Sequence, residues 1–263
     1  MGKKQSIFKT FFNVLKYIND NNKIWRVPLV LFNSFLFHFI VTFLGHTIKR
    51  KLFNGNRMFL FPGCNISSML IYAKLPDKEE IMLLRGLADK KTIFFDIGAN
   101  VGLYSIALAD KVGDVIAFEP HPFTASRCRK NFSLNNLDLN NVKEIALGSQ
   151  SGKAYFSDYG SSSTVNKIVM QPMDAIEVKV MTMDEFIAVN KYSEKEKYLV
   201  KIDVEGFEAD VISGSNNFLQ NYNIKAIVFE CFGDQKKPVT SILEKYGFKI
   251  KRLSTNNYYA TKN

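Results

Sequence analysis

The stretch KTIFFDIGANVGLYSIALA, Lys91 to Ala109, constrains this chain more than any other. Thr92 to Phe95 is β-branched and aromatic, the composition of a central strand. The run stops at Asp96, passes through Gly98 and Gly102, and resumes at Leu103, Ile106, Ala107 and Leu108 with helical spacing. Strand, glycine turn, helix is the geometry that brings bare backbone N–H groups close to a ligand.

The chain beyond it repeats the alternation. After a helix over 79–87, strands are predicted at 92–96, 114–119, 142–147, 198–203 and 225–231. Helices are predicted at 102–110, 123–135, 183–190, 207–220 and 238–246, with two shorter β-like runs at 153–157 and 176–182 and a closing strand pair near 248–253 and 257–261. Such alternation implies an α/β, Rossmann-like fold: a mostly parallel seven-stranded sheet, helices on both faces and an antiparallel hairpin at one edge. At 263 residues the chain is long enough for one such domain with an appendage.

In a doubly wound sheet, ligands bind at the carboxyl ends of the strands. The first strand delivers Asp96 and the turn Gly98-Ala99-Asn100-Val101-Gly102 there. The second delivers Glu119, followed by Pro120 and His121. Glu119 lies 21 residues after Gly98, the interval at which an acid accepts hydrogen bonds from ribose hydroxyls. A nucleoside-bearing cofactor follows. A dinucleotide wants G-x-G-x-x-G, but here two glycines stand four apart with an aspartate two residues ahead of the first. That carboxylate is unwelcome beside phosphates and welcome beside a cation. S-adenosylmethionine has no phosphate and carries a sulfonium and an ammonium, so it is the expected cofactor.

Two later strands also end in acids. Asp203 closes LVKID, with Glu205 and Glu208 just beyond it, and Glu230 closes IVFE. Glu208 reads as an acid in the first turn of a helix, favourable to the helix dipole. Asp203 and Glu230 admit three readings: ligands for a divalent metal, a general base, or partners of Lys201 or an arginine. The candidates for accepting a proton from an acceptor hydroxyl are His121, Asp203, Glu205 and Glu230.

The segments FFDIGANVGLYS, VIAFEPHP, EIALGSQSG, LVKIDVEGFEADVISG and AIVFECF follow one another in order, and as a set they resemble the FkbM family of S-adenosylmethionine-dependent methyltransferases. The resemblance covers roughly residues 70–260. It implies a class I methyltransferase fold and O-methylation of a sugar, glycan precursor or similar metabolite. Carried over by position, it implies that Asp96, Gly98, Asn100 and Gly102 line the methionine end of the cofactor and that Glu119 holds the ribose. Pro120, His121 and the third strand's end around Ala146 would flank the adenine.

The first 56 residues are of another character, and we read them as a helical segment preceding a methyltransferase domain at 57–263. Residues 1–60 hold ten Lys/Arg against one acid, Asp20, leaving 25 basic and 24 acidic residues in the other 203. Phe8, Phe11, Phe12, Leu15 and Ile18 recur at helical spacing between Lys9 and Lys16, which makes a basic amphipathic helix. The 22 positions from Val27 to Ile48 then carry no formal charge. Length alone lets them span a bilayer, but Asn33, Ser34, His38 and His46 interrupt them. A buried or interfacial helix is the expectation, with peripheral membrane contact through residues 1–56.

Two other readings compete with the O-methyltransferase. Nucleic-acid methylation would need a basic, aromatic groove at the site, whereas the excess charge is segregated from the strands that build it. A non-catalytic membrane-associated binding protein on the same fold would not need Asp96, the glycines and Glu119 together. Three cysteines far apart, Cys64, Cys128 and Cys231, argue against a disulfide framework or a zinc site and for a reducing, cytoplasmic compartment.

Overall fold

The computed structural model describes residues 2–157, 168–169 and 175–262. The chain divides into two compact units, Met1–Pro76 and Asp77–Asn263.

The first unit opens with helix α1 (Gly2–Asn21), which contains the amphipathic run expected from the sequence. A short 3-10 turn leads into α2 (Val27–Phe37), whose start is set by Pro28 in its first turn. The helical path continues as a π-helical stretch over His38–Phe43. Strands β1 (Ile48–Lys51) and β2 (Arg57–Leu60) pair antiparallel, and α3 (Asn65–Tyr72) completes the unit. The side-chain amide of Asn22 donates to the carbonyls of Ile18 (2.8 Å) and Tyr72 (2.7 Å), tying the end of α1 to α3. Ile18, Phe37, Val41 and Leu70 are buried. The expected break at 56/57 thus falls inside the β1–β2 hairpin, and the compact boundary lies twenty residues later.

In the second unit, α4 (Lys78–Leu87) precedes β3 (Thr92–Ile97), α5 (Leu103–Leu108), β4 (Asp114–Phe118), α6 (Pro122–Leu134) and β5 (Val142–Lys143). Then come β6 (Ala146–Leu147), β7 (Gly152–Ser157), β8 (Ile168–Val169), β9 (Ala175–Met181) and α7 (Met183–Val189). The chain ends with β10 (Lys197–Ile202), α8 (Glu208–Ser213), α9 (Asn216–Asn221), β11 (Asn223–Glu230), α10 (Lys236–Lys245), β12 (Lys249–Arg252) and β13 (Asn257–Thr261).

Seven strands form the main sheet in the order β12-β13-β11-β10-β3-β4-β5. β11, β10, β3, β4 and β5 run parallel, and β13 and β12 close the edge antiparallel. The chain winds outward from β3 through β4 to β5, then returns to β3's other side with β10 and β11. The strand order therefore reverses between β3 and β10, the position where such sheets bind ligands.

β3 is buried along its whole length because it lies at the centre of the sheet. Side chains alternate between the two faces of a strand, so Phe95 and Asp96 point to opposite sides. Phe95 sits in an aromatic cluster, its ring centre 5.3 Å from Tyr192, 5.4 Å from Tyr198, 5.8 Å from Phe218 and 5.9 Å from Phe118. Such rings contribute about 0.5–1.5 kcal/mol per pair beyond the area they bury. They anchor the strand whose other face carries the acid.

Two expectations need correction. The predicted strand 142–147 is two strands of two residues each: β5 joins the main sheet, whereas β6 pairs with β9 in a separate four-stranded sheet, order β6-β9-β7-β8. The predicted helix 207–220 is broken at Gly214, where a Cβ would stand 2.0 Å from the carbonyl oxygen of Gly148. The polar loop Gly160–Thr164, a candidate for acceptor contact on its composition, lies outside the described residues.

At the reversal point a glycine meets the neighbouring backbone with no room for a side chain. A Cβ on Gly98, whose φ is +79°, would stand 1.8 Å from the carbonyl oxygen of Asp203 just past β10. Gly98→Ala combines left-handed strain with a backbone clash and is expected to lower stability by roughly 2–5 kcal/mol. Urea denaturation measures this as a lower midpoint at constant slope. A loss within the noise would mean that the ends of β3 and β10 need not meet.

Candidate active site

The glycine turn is held from three sides. The N–H groups of Gly98 and Ala99 both donate to the carbonyl of Phe118 at 3.0 Å, locking the turn to the end of β4. Gly102, with φ +87°, starts α5, and a Cβ there would stand 3.0 Å from Cys128 Sγ on α6. Asn131, also on α6, donates from Nδ2 to the carbonyl of Val101 at 2.7 Å. Asn100 is left-handed at φ +51°, a conformation that asparagine tolerates better than most residues.

Glu119, one residue past β4, is buried and grips the same turn. Its Oε2 accepts the Asn100 N–H and its Oε1 accepts the His121 N–H, both at 3.0 Å. Burial pushes its pKa up to about 7; those two N–H donors pull the other way, and the charges of Asp96 and Asp203 push with burial. His121 is buried at the start of α6, its ring edge-on to Phe156 with centres 6.3 Å apart.

Asp96 is buried beside α5. Its Oδ2 accepts from Ser105 Oγ (2.6 Å) and Ser105 N–H (3.0 Å), so the acid caps that short helix. Its Oδ1 is buried too and has no hydrogen-bond partner among the described residues. Burial raises the Asp96 pKa above the usual carboxylate value, against the pull of Lys201.

Directly across the strand pair from Asp96 stands Lys201 of β10. Its Nζ is 2.8 Å from Asp203 Oδ2 and 4.5 Å from the centre of the Tyr104 ring. Burial works against its charge, but Asp203, Asp96 and Asp77 outweigh it and hold its pKa above the ordinary lysine value. Glu230, half-buried at the end of β11, has its pKa raised to about 7 by burial first and then by Asp203. Asp77, at the start of α4, is likewise raised by burial, and Lys201 opposes the rise. One buried cation therefore faces several carboxylates, and the strand ends carry an excess of negative potential.

The structure brings together most of the residues singled out in the sequence. Gly98, Asn100, Gly102 and Glu119 form one hydrogen-bonded unit, Asp96 holds the start of the helix that follows it, and Pro120 and His121 continue from Glu119. Asp203 and Glu230 end neighbouring strands. Glu205 lies in the turn beyond Asp203 with φ +54°. Glu208 accepts the N–H groups of Val204 (3.2 Å) and Gly206 (3.0 Å), so it shapes that turn, as its place in a helix's first turn suggests. Ala146 sits on the second sheet rather than on a continuation of β5.

Of the three readings of Asp203, the ion pair with Lys201 is the one formed. Among the described residues no group of three His, Cys, Asp or Glu side chains is placed to hold a metal ion. Sequence reasoning did not single out Asp77, Tyr104 or Ser105. Asp77 had one signal, an aspartate directly before a helix rich in Glu at its start, but nothing local says that it faces a lysine over a hundred residues away.

The raised pKa of Glu119 makes the ligand-free protein sensitive to pH. Between the ordinary 4.5 and about 7 the folded chain keeps a proton that the unfolded chain releases. Stability from this group is therefore full below the unfolded value and falls as pH rises through the folded one, by up to roughly 3 kcal/mol at about 1.36 per unit. Thermal melts taken from about pH 5 to about pH 8 should fall in the wild type and fall less in Glu119→Gln. Parallel profiles would show that Glu119 is not protonated in the fold.

Comparison with known proteins agrees with this geometry. The Haloferax volcanii protein named Hexuronic acid methyltransferase AglP is 28% identical over 169 residues, 64% of this chain and 67% of that protein. The Beauveria bassiana protein named Methyltransferase 1 is 26% identical over 141 residues, 45% of this chain and 56% of that protein, so the match spans little more than half of its length. Among solved structures, a SAM-dependent O-methyltransferase of Thermotoga maritima is 13% identical, covers 71% of this chain and 65% of that one, and superposes with a TM-score of 0.41, a likeness too slight to build on. Residues 96–250, more than half of the chain, match the Methyltransferase FkbM domain. The parallel sheet, the glycine turn at its point of reversal and the acid at the next strand end are those of a class I S-adenosylmethionine-dependent methyltransferase, and the chain belongs to the FkbM methyltransferase family.

Proposed function

We propose that this protein transfers a methyl group from S-adenosylmethionine to an oxygen of a sugar or glycan precursor. The observation that carries the cofactor assignment is the buried, unpartnered Oδ1 of Asp96 at the reversal point of an acid-rich sheet. A buried acceptor left without a donor costs about 1–3 kcal/mol, which a ligand N–H recovers. The residues fit a cationic nucleoside. Asp96 would take the ammonium of the methionine moiety, the turn Gly98–Gly102 would let the chain approach closely, and Glu119 would accept from the ribose hydroxyls. Pro120 and His121, with Ala146, would border the base. When bound, the cofactor supplies an electrophilic methyl on a sulfonium whose leaving group is a neutral thioether.

The protein then has to align the acceptor and give its proton a destination. Alignment alone lowers such barriers by about 7–11 kcal/mol. For the proton, Glu230 is the best-placed of the four candidates. Its pKa of about 7 suits a general base at neutral pH, and it is half-buried rather than sealed in the core. Asp203 is held by Lys201, whose charge it stabilises. Glu205 and His121 remain the secondary candidates.

The sugar assignment rests on the hexuronic acid in the name of the Haloferax relative. A hexuronic acid offers both hydroxyl and carboxylate oxygens, and the two differ in what they ask of the enzyme. A hydroxyl needs a base, whereas a carboxylate is already a nucleophile at neutral pH.

Calorimetric titration with S-adenosylhomocysteine tests the cofactor site. Wild-type protein should bind, and Asp96→Ala and Glu119→Ala should each lose that binding. A folded wild type that binds nothing would refute the reading. Binding should also weaken as pH falls below about 7, because protonated Glu119 no longer accepts from both ribose hydroxyls. Glu230→Gln should leave cofactor binding intact and slow methylation of a sugar hydroxyl by about 10²–10⁴-fold. Undiminished turnover of the hydroxyl in that variant would remove Glu230 as the base and pass the role to Glu205 or His121.

A further inference from the structure

The first unit carries an apolar surface of a kind that folded chains seldom leave in water. From Ile24 to Val41 the helical path is long and apolar enough to cross a membrane by length and composition, yet only 11% of it is buried. Phe37 and Val41 form the packed seam. Around the rest of the circumference Trp25 is 70% exposed, Phe32 61%, Phe35 70% and Phe43 77%. A helix that is apolar all round belongs in a core or in contact with lipid.

Beside this surface lies a cavity of about 270 Å³, whose lining includes Leu29 and Leu36 together with Arg26, Arg50 and Lys74. None of its lining residues is acidic. None of the three cations has a carboxylate partner among the described residues, and the guanidinium of Arg26 stacks 5.5 Å from the Trp25 ring centre. Burial holds the Arg50 pKa below its ordinary value, so this charge is costly without an anion. Residues 1–76 contain eleven Lys/Arg and one acid, Asp20. The cavity volume falls just short of the ~300–1,000 Å³ of pockets that enclose a whole drug-sized ligand, which suits a headgroup better than an entire lipid.

We propose that Arg26, Arg50 and Lys74 receive the phosphate of an anionic phospholipid at a bilayer surface, while Trp25, Phe32 and Phe35 seat among the acyl chains. The cations supply selectivity for anionic lipid, because Lys and Arg near a negative leaflet act within a Debye length. The aromatic residues supply depth, as Trp does at membrane interfaces. This inference is independent of the cofactor reading, since all of its residues belong to the first unit.

The full-length protein reports on its own docking, because Trp25 is its single tryptophan. Cosedimentation and Trp25 emission should be followed with phosphatidylcholine vesicles, with and without phosphatidylglycerol, at low and high salt. The expected result is sedimentation and a blue shift that require phosphatidylglycerol and fade with salt. In the double variant Arg50→Gln/Lys74→Gln, affinity for those vesicles should drop roughly tenfold or more, at about 1 kcal/mol per cation. A thermal melt checks that the variant is folded, and the lipid and salt dependence of the wild type decides the matter if it is not. Absence of sedimentation with either vesicle would overturn the proposal. So would equal, salt-insensitive binding to both vesicles, which would indicate simple insertion of the apolar helix, or unaltered affinity in the folded double variant. Inorganic phosphate that binds the protein in an Arg50-dependent way while vesicles do not would make the cavity a small-anion site and refute the lipid assignment.

Discussion

The carbonyl oxygen of Asp203 occupies the space where any side chain at position 98 would begin. That single contact brings the ends of β3 and β10 within backbone reach of each other, helped by the Asp203 N–H donating to the carbonyl of Ile97 at 3.0 Å. The juxtaposition of Asp96 with Lys201 depends on it. Asp96 sits two residues before the contact on one strand, and on the other Asp203 makes the contact with Lys201 two residues before it. Were the strands splayed, Lys201 would keep Asp203 at the end of its own strand but lose Asp96 across from it, and the buried Asp96 would then stand without its cation in a medium that penalises charge heavily.

The site is poised by imbalance rather than by pairing. Lys201 is buried and charged, but it faces Asp77, Asp96, Asp203 and Glu230, with Glu119 nearby, and two of these glutamates are pushed to about 7. A fold selected for stability alone would neutralise such a cluster with a second cation or with apolar packing. The aromatic cluster around Phe95, on the opposite face of the same strand, is what can sustain that cost. Stability is concentrated on one side of the sheet and charge on the other.

The two units answer different physical demands. In the second, the exposed surface is mixed in charge and the strands are fully buried at the centre. In the first, basic residues and apolar aromatics share one small structure with hardly an acid among them. A surface of that composition is poorly suited to water on its apolar face and well suited to an interface that is greasy on one side and anionic on the other.

Most of the second unit is legible in the order of its residues. The β-branched runs, the helical spacings and the turn from Gly98 to Gly102 are local patterns, so strand, turn and helix are fixed by neighbours within a few positions. The acids at strand ends follow from the same reading, because a parallel sheet aligns all those ends on one rim. The sequence by itself therefore determined the fold class, the family and the identities of Asp96, Glu119, Asp203 and Glu230. Only the tertiary structure decided which of them meet. Ala146 left the predicted strand because its pairing partner is Val180 on β9, a choice made between segments far apart in the chain. Asp203 became the partner of Lys201, Asp77 and Tyr104 joined the cluster with nothing local to say that they face that lysine, and Glu119, expected to hold the ribose, also grips the glycine turn. Each of these outcomes depends on burial and on distances across the sheet, and those are set when remote segments pack.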